Sequence, residues 1–66
     1  MKAKRYVYEF ASAERRFFER MEKENADGAE IFRQKIHDID RAVWSVERGY
    51  ITDLEAMRII AAPLSD

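Results

Sequence analysis

The chain has 66 residues, 12 basic and 13 acidic, for a net charge of −1; it makes one domain at most and carries no overall bias towards nucleic acid or membrane. With no cysteine and a single histidine, it has no means of forming disulfides, thiolate metal sites or a cysteine nucleophile, and a structural zinc site lacks ligands. A domain of this size buries too little surface to be more than marginally stable, so self-association is the expected supplement.

The first segment reads as a helix over about residues 5–25. Tyr6, Phe10, Ala13, Phe17 and Met21 recur at helical spacing, with Val7 and Phe18 widening that face. The Glu-Arg alternation of ERRFFERMEKEN supplies a solvated side with pairs at i,i+4. A competing reading makes YVYEF a short strand, with Ser12 capping a helix that begins at Ala13. No other stretch looks like a strand partner, so that reading requires pairing between subunits. Asn25, Asp27 and Gly28 then break the helix.

The second helix is expected over about residues 28–48. Asp27 and Glu30 have the spacing of a capping box. Phe32, Ile36, Ile39, Val43, Val46 and Tyr50 follow at alternating spacings of four and three, an apolar stripe of heptad type. Gly49 stands where a left-handed C-terminal residue belongs, and Tyr50 after it is expected to fold back onto Trp44.

Thr52 and Glu55 form a second capping-box pattern, opening a short helix over about residues 53–62. Leu54, Met57, Ile60, Ala61 and Leu64 give it an apolar side, and Pro63 ends it by disfavouring helical geometry at Ala62. About ten residues are too few for a helix to stand alone, so this one must dock. Gly49, Ile51, Thr52 and Glu55 match the Gly-x-Ile-Thr-x-x-Glu pattern, which resembles the short C-terminal helical hairpins of many bacterial proteins. The predicted fold is all-α: an antiparallel helical hairpin plus a short third helix, a three-helix bundle in one domain over 1–66, completed by self-association.

Helix, glycine turn and helix also outline a DNA-reading element. Its second helix must offer donors to base edges, and TDLEAMRIIAA holds one arginine, two acids and otherwise apolar side chains. The joint is expected to fold the bundle instead. Basic residues concentrate towards the N-terminus: residues 1–25 carry seven basic and five acidic side chains, and residues 49–66 one and three. Arg16, Arg20 and Lys23 share one helical stripe and are the candidate nucleic-acid contacts.

His37, Asp38 and Asp40 are the only cluster suggesting chemistry. On a helix His37 and Asp40 are neighbours while Asp38 points elsewhere, so no ligand set or acid–base pair converges. No nucleophile with a base is recognisable, and two glycines cannot build a phosphate loop. Catalytic, cofactor-binding and metal residues are therefore expected to be absent. No apolar run approaches the ~20 residues that span a bilayer. Glu9 interrupts the N-terminal apolar stretch, so cytoplasmic residence is expected.

The aromatics are more informative. Eight occur in the chain, and Phe17 and Phe18 are adjacent, too far apart around a helix for one narrow contact. Trp44 lies beside the main stripe on the flank that carries Arg33, His37 and Asp40, and aromatics next to arginines are the chemistry of interface hot spots. Candidate interface residues are Phe17, Phe18, Phe32, Ile36, Ile39, Val43, Trp44 and Tyr50. The function expected is a small homodimeric module that regulates or inhibits another protein by binding it, similar in general character to small regulators and inhibitors carried by phages and plasmids. The alternative is a dimeric nucleic-acid-binding regulator that uses the basic first helix.

Overall fold

A computed structural model describes residues 3–64. Three α-helices pack together: α1 (Arg5–Glu24), α2 (Ala29–Glu47) and α3 (Asp53–Ala61), with a 3₁₀ turn (Ala26–Gly28) between the first two. No strand occurs among the described residues. YVYEF is helical from Arg5 onwards, which removes the strand alternative.

Helices α1 and α2 form the antiparallel hairpin. Its edge is fastened by three polar pairs, and each step of seven residues up α1 is matched by seven down α2. The Tyr8 hydroxyl donates to Glu47 Oε2 at 2.7 Å. Arg15 holds Asp40 with two bonds, Nε to Oδ1 at 2.9 Å and Nη2 to Oδ2 at 3.0 Å, while also pairing with Glu19. Arg33 Nε donates to Glu22 Oε2 at 2.7 Å. These side chains are largely solvent-exposed, so they orient the hairpin more than they stabilise it. The stability comes from the core beside them: Val7, Ala11 and Phe18 of α1 against Ile36, Ile39, Ala42 and Val46 of α2, with Ala56 and Ile60 of α3 closing the third side.

The buried face of α1 differs from the expected one. Val7, Ala11 and Phe18 are buried, whereas Tyr6, Ala13 and Phe17 are exposed. The face that faces inward is obscured in sequence by the small Ala11 and by Glu14, a half-buried acid where an apolar residue would continue the series. On α2 the expected stripe holds at Ile36, Ile39 and Val46, which are buried, and at Phe32 and Val43, which pack half-buried against the core. Tyr50 lies outside it. On α3, Ile60 is buried as expected and Met57 half-buried, but Leu54 and Ala61 are exposed and Ala56 takes the buried place.

The two turns are built differently. Asn25 closes α1, its Nδ2 and its backbone N–H both donating to Met21 O. Gly28 N–H then bonds Asn25 O in the 3₁₀ turn. The expected Asp27–Glu30 box does not form: the tight turn carries the chain one residue further, Gly28 takes the N-cap position, and no side chain caps it. The second joint follows the expected chemistry. Tyr50 N–H donates to Ser45 O and Gly49 N–H to Val46 O, the paired closing bonds of a glycine-terminated helix. Gly49 has φ +78°, a left-handed geometry in which a side chain is strained even though the space around it is open. Thr52 and Glu55 complete their box, with Glu55 N–H on Thr52 Oγ1 at 3.1 Å and Thr52 N–H on Glu55 Oε1 at 2.8 Å. The start of α3 is also tied to the start of α1, because Lys4 N–H donates to Asp53 Oδ1 at 3.2 Å.

The far end of α3 is held by a residue whose role the sequence did not announce. Lys35 projects from α2 and is only 5% exposed. Its ammonium donates to Ile59 O at 3.2 Å and to Ala62 O at 2.6 Å, and lies 6.0 Å from the centre of the Phe18 ring. A positive charge thus meets the carbonyl end of a helix, where backbone acceptors have no intrahelical partner. One side chain links all three helices.

Replacing Lys35 by Met keeps most of the packing and removes both charge-assisted bonds, at a cost of about 2 kcal/mol. That is a large share of the stability of so small a domain, roughly 10 °C in Tm. Thermal denaturation of the variant measures it, and amide exchange should rise in α3 before it rises in the hairpin. A second test uses alkaline pH. The hydrogen bond to Glu47 raises the Tyr8 pKa above 10.0, so the stability it contributes is present below the pKa of the unfolded chain and is lost as pH climbs through the folded one. Tyr8→Phe should flatten the fall in urea midpoint above pH ~10 relative to the wild type.

Candidate functional site

Helix α2 spends its inner face on the core, and its outer face collects unusual chemistry. His37, Arg41, Trp44 and Arg48 follow one another at spacings of four, three and four. At 3.6 residues per turn they lie about half a turn from Ile39, Ala42 and Val46, on the side of α2 that faces away from the core. Trp44 there is 46% exposed, a large apolar side chain that lies outside the core.

The glycine-terminated end of α2 adds to this face. By turning the chain at Gly49 it returns Tyr50, 69% exposed, until its ring centre stands 5.6 Å from that of Trp44 at a tilt of 56°. Arg48 lies over the Trp44 ring with Cζ 4.6 Å from the centre, within cation–π range. Indole, phenol and guanidinium therefore form one platform. Beside it a shallow recess is lined by His37, Asp40, Arg41 and Trp44.

This face carries charges of both signs. Asp40 is held by Arg15, which also pairs with Glu19, and the hydrogen bond to Asp40 raises the Arg15 pKa above its ordinary value. Glu47 accepts from the Tyr8 hydroxyl, a neutral donor. Arg41 and Arg48 enter none of the ion pairs among the described residues. The platform is thus aromatic at its centre, with two arginines along its length and acids at its flank. Among the described residues no three His, Cys, Asp or Glu side chains are grouped to hold a metal ion.

Of the sequence-predicted interface residues, the structure places Phe18, Ile36 and Ile39 in the core of a single chain and packs Phe32 and Val43 half-buried against it. Their apolar surface is covered by the chain itself. Phe17, Trp44 and Tyr50 are exposed, with Trp44 and Tyr50 together and Phe17 on another helix. The sequence reading missed Arg41 and Arg48 as members of the platform. Their signal was present, since both share the helical stripe of Trp44.

The basic residues of α1 are arranged more cleanly than their sequence suggests. Arg16, Arg20 and Lys23 are exposed and enter none of the ion pairs among the described residues. Of the glutamates interleaved with them, Glu19 pairs with Arg15, Glu22 with Arg33, and Glu14 is half-buried, while Glu24 is exposed one turn from Arg20. Arg20 lies 6.0 Å from the Phe17 ring. A third feature is the groove between α2 and α3, about 400 Å³, with Lys35 within it and exposed Ile31, Ile59 and Leu64 among its lining residues.

No helix among the described residues is long and apolar enough to cross a membrane. Set against known proteins, the chain matches no family model, and neither a curated protein nor a solved structure shows significant similarity to it.

Proposed function

We propose that this chain is a small helical interaction module, a regulator or inhibitor that self-associates and acts by binding another protein rather than by catalysis. The observation that carries the reading is the Trp44–Arg48–Tyr50 platform. A tryptophan and a tyrosine are held side by side away from the core, with an arginine over the indole. Tryptophan, tyrosine and arginine dominate binding hot spots: the two aromatics offer large contact area at modest entropy cost, and the guanidinium adds directional hydrogen bonds and stacking. Arg41 and Arg48, with no carboxylate matched to them among the described residues, favour a partner surface that presents acidic side chains around an apolar centre.

A second reading, nucleic-acid binding through α1, is supported by one specific observation: Arg16, Arg20 and Lys23 form an exposed strip, and Glu19 and Glu22 of the same helix are drawn into pairs with other arginines. Three contacts of this kind per chain give binding that weakens steeply with salt.

Parallel affinity capture with the wild type and with Trp44→Ala separates the two. The expected result is at least one protein retained by the wild type and lost by the variant, while the far-UV circular dichroism of the variant stays unchanged. Titration of that protein should then show Trp44→Ala binding about 30-fold more weakly. If the variant retains every protein that the wild type retains, the platform is not the docking site. Salt-sensitive binding to mixed-sequence DNA or RNA that disappears on replacing Arg16, Arg20 and Lys23 by alanine would establish the second reading.

A further inference from the structure

The face of α1 that the sequence marks as apolar is the one that the monomer leaves uncovered. Tyr6, Phe10, Ala13 and Phe17 follow at spacings of four, three and four. Tyr6 is 48% and Phe17 43% exposed, Ala13 is exposed, and only Phe10 is half-buried against the core. At 3.6 residues per turn this stripe runs roughly 110° around α1 from the buried face formed by Val7, Ala11 and Phe18. It is an apolar stripe about 17 Å long that the single chain leaves largely uncovered.

We propose that the occupant is a second copy of this chain, with α1 packed antiparallel on the α1 of the second copy across a two-fold axis. The proposal rests on the self-association in the reading above and names its surface. Two properties of the stripe select this arrangement. The first is size. An antiparallel pair sets Phe10 against the small Ala13 of the second copy and Tyr6 against its Phe17, and the two-fold axis repeats both layers. Large meets small in the middle and ring meets ring at the ends. A parallel pair instead sets Phe10 on Phe10 and Ala13 on Ala13, a collision beside a gap.

The second is charge. Glu9 and Arg16 flank the stripe on one side, one heptad apart. In the antiparallel pair Glu9 meets Arg16 of the second copy, and the symmetry repeats the contact, as an isologous interface requires. A parallel pair would bring Glu9 towards the second copy's Glu14. Both groups are available: Arg16 enters none of the ion pairs among the described residues, and Glu9 is held only by Arg5 in a pair whose side chains are 90% and 64% exposed. Such a pair contributes little and exchanges readily for another partner.

The test is a charge exchange followed by light scattering from micromolar to millimolar chain. The wild-type mass should rise from 7.8 kDa towards twice that value. Glu9→Arg and Arg16→Glu should each shift the midpoint about tenfold to higher concentration, because both copies of the contact become like-charged. Mixing the two variants, or combining both substitutions in one chain, should restore it, since each Arg then meets a Glu again. Circular dichroism of the exposed-site variants should match the wild type. A wild type that stays monomeric throughout overturns the seam and self-association together. A wild type that dimerises while both single variants dimerise equally well overturns the seam and leaves self-association to another face. Weakening without rescue in the mixture overturns the antiparallel pairing.

Discussion

The structure depends on one ammonium group. Lys35 reaches from α2 beneath the end of α3, binds two of its terminal carbonyls and lies near the face of Phe18 from α1. A nine-residue helix has little stability of its own, and its last carbonyls lack i+4 partners; the Ala62 N–H reaches Ile59 O at 3.3 Å, and Lys35 supplies the rest at this corner. The opposite end is secured by the Thr52 capping box and by the Lys4–Asp53 bond. With α3 clamped at both ends, Ala56 and Ile60 are pressed into the hairpin and the core closes. A lysine suits the position because its long apolar stem fills space among the helices while the charge is delivered to the helix terminus.

Much of this was legible in the sequence, and the limits were physical. The second joint was readable to the residue because Gly49, Thr52 and Glu55 act through local backbone chemistry that does not depend on distant partners. The inner stripe of α2 was readable because five apolar residues, Phe32 to Val46, keep one periodicity; Tyr50 fits the same spacing but lies beyond the end of the helix. The first turn was misread for a related reason: Asp27 and Glu30 have capping spacing, but a 3₁₀ turn and a capped start compete for the same residues, and spacing cannot show which prevails. On α1 two apolar stripes coexist, and the one with the larger aromatics is the outer one. Lys35 could not be found, since a lysine on a helix normally points to water and only the arrival of α3 buries it. The contact of Tyr50 with Trp44 was legible, although Tyr50 also read as part of the inner stripe; Arg41 and Arg48 joined them only when the outer face of α2 was separated from its inner face.

The surfaces left over are chemically distinct. The platform on α2 joins two aromatic rings to Arg41 and Arg48, neither of them in an ion pair among the described residues. The stripe on α1 carries one acid and one base at its flank and, in the proposed antiparallel pair, would be matched to itself. The two faces therefore call for different occupants, and they sit on different helices. A symmetric pair would carry two platforms, and a partner with two matching epitopes would gain avidity without any new contact.

The cross-hairpin pairs have a further property in their polarity. At the middle pair the arginine is on α1 and the acid on α2; one heptad on, the acid is Glu22 of α1 and the arginine is Arg33 of α2. Two heptad-patterned helices can slide by seven residues and still match apolar to apolar. Here a slide in one direction brings Arg15 opposite Arg33 and leaves no ion pair among these positions. In the other it brings Glu22 opposite Asp40 and Arg15 opposite Glu47, a repulsion against an attraction. The native alignment alone satisfies all three positions, so pairs that add little to the depth of the native well still separate it from its nearest competitors.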